Sequence, residues 1–115
     1  MSFTAPVADI AYLAKLFGLD QLEADGLAPE LADGLAEAVL EEAGKFATDR
    51  IAPLNRIGDT IGARFENGHV TTAPGWTETY RDWAAGGWNG LTASVDHGGQ
   101  GLPHLLHLAC SDMWT

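Results

Sequence analysis

The chain has 115 residues, 46% apolar and 19% charged, with 6 Lys plus Arg against 16 Asp plus Glu and a formal net charge of −10. That length allows one core and a single domain over 1–115, while the composition excludes a disordered chain, a collagen-like repeat and a disulfide scaffold, since Cys110 stands alone. The negative charge repels nucleic acid and anionic membranes, so neither is expected as a partner.

Residues 6–17 read as a helix. Ile10, Leu13, Leu16 and Phe17 recur at spacings of three and four, Pro6 suits the first turn, and Gly18 suits the stop. One more turn is expected over 20–25, with Asp20 as its cap. The strongest periodicity predicts a helix over 29–50, opened by Pro29. Leu31, Leu35, Val39 and Phe46 form its apolar face, and Glu30, Asp33, Glu37 and Glu41 its polar one. Glu41 and Lys45 have the favourable i, i+4 order. Gly34 and Gly44 cost helix stability, which points to close approach by a neighbouring element. Pro53 is expected to stop this helix, because Ala52 before it is pushed from the helical region.

Residues 55–62 show no clean period and read as a turn-rich connector. A small hairpin is expected near 63–71, with Asn67-Gly68 as its turn, and two strands this short are expected to lean on the helices. Pro74 opens a helix through about Ala85 with a bulky face of Trp76, Tyr80 and Trp83, and Gly86-Gly87 ends it. Trp88 to Val95 reads as irregular or briefly extended, and Gly98, Gly99 and Gly101 as a turn. A last helix begins near Leu102-Pro103. Leu105, Leu106, Leu108, Ala109, Met113 and Trp114 make it nearly apolar all round, the pattern of a helix buried on most sides. With no glycine cap, basic cluster or polar tail, this reads as a cut core helix and the chain as a piece of a larger protein. The fold class is mainly all-α, with four to six helices and one hairpin.

Four constellations carry residue types used in chemistry. His104, His107 and Cys110 are zinc-type ligands. Steps of three residues on a helix turn each side chain by about 60° from the last, so the set diverges. A Cys110–His107 nucleophile pair lacks an activating helix N-terminus, and apolar surroundings raise a thiol pKa. Glu41-Glu42 is the adjacent carboxylate pair, and neighbours on a helix diverge, which favours a solvated face over acid/base work. Gly98-Gly99-Gln100-Gly101 lacks the strand, spacing and downstream acid of a dinucleotide fingerprint and reads as a tight loop. No catalytic, cofactor-binding or metal-binding residue is assigned.

Several strings together resemble a known family. They are Ala5-Pro6-Val7-Ala8-Asp9-Ile10; Ile51-Ala52-Pro53-Leu54-Asn55 with Gly58-Asp59 and Gly62; Val70 to Trp76; Gly87-Trp88-Asn89-Gly90-Leu91; and His97-Gly98-Gly99-Gln100-Gly101-Leu102-Pro103. Their order and spacing resemble the N-terminal helical domain of acyl-CoA dehydrogenases, in the long bacterial branch. The resemblance implies a larger enzyme with a β-rich middle domain and a C-terminal helical bundle. It implies FAD in the full-length parent and none in this chain alone. It also implies an acyl-CoA substrate dehydrogenated to enoyl-CoA, electron-transferring flavoprotein as acceptor and a homo-oligomer. The lone thiol fits a reducing cytosol better than secretion, so a cytoplasmic location is expected. Within such an enzyme this domain covers one side of the acyl pocket and aids assembly. The family's flavin-binding segment and catalytic glutamate match no position here. Pro53, Gly58, Gly62, Gly98, Gly99 and Gly101 read as turn-shaping scaffold, with Asn55 and Asp59 bonding loop backbone.

Two other function classes are kept. One is a free-standing helical interaction module docking through its apolar C-terminal helix. The other is a zinc domain using His104, His107 and Cys110. As an isolated fragment the chain is expected to be inactive and to self-associate through exposed apolar surface. No apolar run approaches the about 18 residues a membrane helix needs, and Met1 to Asp9 lacks the pattern of a signal peptide.

Overall fold

A computed structural model describes residues 2–115. Six α-helices and one hairpin follow in chain order: α1 (Val7–Leu16), α2 (Leu19–Ala24), α3 (Leu35–Phe46), α4 (Ala52–Ile61), β1 (Arg64–Glu66), β2 (His69–Thr71), α5 (Trp76–Ala85) and α6 (His104–Trp114). Short 3₁₀ turns lie at Pro29–Gly34, Trp88–Gly90 and Val95–His97. The mainly helical fold with a single small hairpin agrees with the sequence reading.

The core lies where α1 and α6 pack against α3. Leu40, Leu91, Leu106 and Cys110 are its largest fully buried side chains. On α3 the buried face is Ala36, Leu40, Ala43 and Gly44, continued by Ala47, rather than the Leu35–Val39–Phe46 stripe expected. Small residues face the neighbours, so the helices approach closely. An added Cβ on Gly44 would lie 2.3 Å from Val7 Cγ2 and 3.5 Å from Met113 Sδ. Close approach is thus the reason for Gly44. Gly34 serves differently, starting α3 in the left-handed region at φ 79°. The expected 29–50 helix is broken because Ala32 and Asp33 leave helical geometry, Asp33 with φ 61°. Likewise Gly18, not Asp20, precedes α2.

The largest departure from expectation is at Pro53. The chain does not stop there. A π turn over Ala47–Ile51 joins α3 to α4, and Ala52 N–H donates to Ala47 O, five residues back. Proline has no N–H to give an α-helical carbonyl four residues earlier. Widening the preceding turn to i→i+5 bonding accommodates that loss. Pro53 then sits in the first turn of α4, where proline is tolerated. Residues 55–61, expected as connector, are therefore helix, and Gly62 with φ 68° ends it.

The hairpin's position and turn are as expected, but its strands bury nothing against the helices, contrary to expectation. Phe65 pairs with Val70, and Asn67 and Gly68 carry the positive φ values a two-residue turn of this kind needs. Both strands are exposed throughout. The α4–hairpin–α5 half extends from the core, giving extents of 54 × 38 × 18 Å.

Candidate functional site: an apolar groove between α4 and α5

α5 buries no residue completely. Its bulky face instead forms one wall of an open groove of about 300 Å³, lined by Phe46, Ile51, Leu54, Trp76, Thr79, Tyr80, Trp83 and Trp114. The π turn and α4 supply the opposite wall. Gly58 allows this approach, since a Cβ there would meet Trp76 Cζ2 at 2.7 Å. Gly58 is thus a contact glycine inside a helix, not the turn glycine expected.

An aromatic chain fixes the floor. Trp83 meets Trp114 edge-on at 5.6 Å between ring centroids, Trp114 meets Trp88 at 5.3 Å, and Tyr80 lies 5.9 Å from Trp83. Edge-to-face pairs of this kind are worth about 0.5–1.5 kcal/mol beyond area burial. Trp114 Nε1–H donates to Ala43 O at 3.1 Å, locking the end of α6 onto α3. At the rim, Arg50 donates to Asp82, and its guanidinium carbon lies 5.7 Å from the Phe46 ring centroid. The charges at the rim therefore compensate each other.

A second groove of about 220 Å³ adjoins the first, sharing Ile51, Trp76 and Trp114 and lined also by Phe3, Met113 and Thr115. A polar cleft shares Phe3, Ala52 and Asn55 with this second groove and is lined also by Ser2, Thr48, Arg56 and Asp59. Asn55 and Asp59 are exposed one turn apart on α4 and bond no loop backbone among the described residues, contrary to expectation.

The other candidates resolve against chemistry. His104 is exposed, His107 half-buried and Cys110 buried, so one helix sends them to different surroundings. No group of three metal-ligating side chains converges among the described residues. The His107 ring nitrogen Nε2 lies 3.4 Å from Ser111 Oγ, a weak contact. Burial pushes the Cys110 thiol up to about 11, the opposite of activation.

The Gly98–Gly101 loop spends its amides internally. The N–H groups of Gly98, Gly99, Gln100 and Gly101 donate to Val95, Ser94, Gly90 and Ala93 carbonyls. Gln100 Nε2 donates to Gly87 O at 3.0 Å. A Cβ on Gly99 would meet Ala93 O at 2.1 Å, so a backbone contact fills the space that a phosphate cradle leaves open. The loop braces the entry to α6 and offers no donors to an anion.

Nor do the grooves fit a flavin dinucleotide. The main groove is aromatic and aliphatic apart from the Thr79 and Tyr80 hydroxyls, the only polar side chains its neighbour adds are the uncharged Asn55 and Thr115, and the nearby Arg50 is already paired, so nothing in either neutralises a diphosphate. Sequence reading found the α5 face and Trp114 as apolar, but missed Phe46, Ile51 and Leu54 as their partners. The helical spacing of Ile51, Leu54 and Gly58 carried that signal across Pro53.

No protein-family profile matches the chain. It is 40% identical over 114 residues to a 3-methylmercaptopropionyl-CoA dehydrogenase from Ruegeria pomeroyi. The match spans 98% of this chain and 19% of that protein, so the chain has about a fifth of its relative's length. The acyl-CoA dehydrogenase resemblance read in the sequence blocks thus extends along nearly the whole chain.

Proposed function

We propose that this chain is the N-terminal helical domain of an FAD-dependent acyl-CoA dehydrogenase. The intact protein converts an acyl-CoA thioester to the α,β-enoyl-CoA. This domain covers one side of the acyl pocket and supplies surface for assembly. FAD, the catalytic carboxylate, the contact with electron-transferring flavoprotein and the homo-oligomer interface belong to the rest of the protein, in the cytoplasm.

The observation that carries the reading is the 40% identity over nearly the whole chain against a fifth of the relative. The shape supports it. A monomer of this mass exposes roughly 6,100 Å² by globular scaling. This chain exposes 7744 Å². The Cα radius of gyration is 16.4 Å, where about 13 Å is expected for a compact chain near this length. The chain has the surface of a layer that packs against more protein.

The test is to purify the product of the complete gene and add 3-methylmercaptopropionyl-CoA and a panel of other acyl-CoA thioesters. A yellow protein that reduces an electron-accepting dye with at least one thioester is expected. Residues 1–115 alone are expected to be colourless and inactive. A flavin-free intact protein, or a reading frame ending at Thr115, would overturn the reading and favour an interaction module.

A further inference from the structure

We propose that the groove between α4 and α5 seats the stretch of polypeptide that directly follows Thr115 in the intact protein. The inference rests on the chain being the N-terminal part of a longer protein, and not on the reaction that protein performs.

Position is the first argument. The main groove and its neighbour share Ile51, Trp76 and Trp114 in their walls, and Thr115 lines the neighbour. Trp114 is held by its bond to Ala43 O and by its edge contacts with Trp83 and Trp88. The last residue therefore sits on the wall of the adjoining groove, next to Trp114, which lines both. A peptide leaving Thr115 starts one residue from Trp114, which forms part of the main groove's lining.

Chemistry is the second. The walls are aromatic and aliphatic, Thr79 and Tyr80 supply the hydroxyls, and the Arg50–Asp82 pair at the rim is closed on itself. An occupant that brings charge loses hydration there without compensation. Apolar side chains lose nothing. The exposed area beyond that of a compact monomer also matches what one partner contributes to a large obligate interface.

Competition is the third. A segment tethered by a few residues experiences an effective concentration in the millimolar range. A second copy or a free partner must reach that concentration to displace it.

The test uses the intact protein with Tyr80 replaced by the photocrosslinker p-benzoylphenylalanine. Tyr80 is 64% exposed, so the replacement leaves the core untouched. Irradiation of mixed light- and heavy-isotope protein, followed by peptide mapping, is expected to give links within one chain to the residues just after Thr115. Links to a remote region, to a second copy or to another protein would overturn the proposal. So would a yield no higher than from the same crosslinker at the exposed Glu23, outside the groove. Hydroxyl-radical footprinting of the unmodified intact protein gives a second reading. Trp76 and Tyr80 are expected to oxidise several-fold more slowly than free side chains, and unhindered oxidation of both would count against docking. Both measurements read position whether or not the protein turns over an acyl-CoA. A failed activity assay and a failed docking are therefore separate results.

Discussion

At Gly44, two effects oppose each other. Replacing a mid-helix glycine by alanine gains up to about 1 kcal/mol in helix propensity. The added carbon would also lie 2.3 Å from Val7 Cγ2. Val7 cannot simply move aside, because the adjoining segment is tied by the Ala5 N–H bond to Thr48 Oγ1 at 3.0 Å. Overpacking typically costs about 1–3 kcal/mol, so Gly44→Ala is expected to be net destabilising in urea unfolding. In the Gly44→Ala/Val7→Ala double variant the clash is gone, and much of that loss should be recovered. Simple additivity of the two losses would show that no such contact exists. Cys110 gives a pH prediction. Burial raises its folded pKa from 9.0 to about 11. Below 9 both folded and unfolded thiols are protonated, and the group adds no pH dependence. Between 9 and about 11 the unfolded chain releases its proton first, so stability falls with rising pH, by on the order of 2 kcal/mol. Cys110→Ala should show a correspondingly flatter decline over that window, compared at each pH by unfolding midpoint. Equal slopes in both proteins would mean that the thiol is not buried as described.

At the level of elements, local signals were legible and through-space ones were not. The Asn67-Gly68 turn was read correctly because its positive φ values are a local demand. Its two strands bury nothing, so the hairpin adds little to global stability. Gly68→Val is expected to abolish the cross-strand amide contacts seen by NMR, while the unfolding free energy moves by less than about 0.5 kcal/mol, as for an exposed site. A large global loss would show that the hairpin leans on the helices. Pro53 was misread because a proline signals both the end of one helix and the first turn of another. The choice was made by the π turn before it, which needs no special residue. The buried face of α3 was misread for a related reason. Leu35 and Val39 outrank alanine in hydrophobicity, but α1 and α6 can approach α3 closely only over Ala36, Ala43 and Gly44. Which face is buried was decided by the partners, and the partners lie far away in sequence.

At the scale of the molecule, the candidate site was half legible. The α5 aromatics announce a surface seeking cover, but the facing wall comes from Phe46, Ile51 and Leu54, of which only Phe46 falls in the helix expected over 29–50, while Ile51 and Leu54 lie between it and the expected connector. The chain carries a second exposed apolar surface, on α1 and α6. There Phe17 is 71% and Leu108 66% exposed, beside a groove of about 180 Å³ between α1 and α6. Contiguous apolar surface of this extent drives association. Against it stands the net charge of −10, which opposes close approach of copies at low ionic strength. Both effects fix the direction of a salt dependence. Residues 1–115 alone are expected to self-associate in sedimentation or light scattering, increasingly from 20 mM to 300 mM salt, on the order of the range over which screening shortens below 10 Å. Tyr80→Lys and Leu108→Lys each place a cation on one apolar surface. If both surfaces take part, each change should weaken association and the pair should weaken it further. A monomer at high concentration and high salt would show that these surfaces are quiet without a tethered partner. Loss through Leu108→Lys alone would place the self-contact on the α1–α6 side and leave the α4–α5 groove to its own chain.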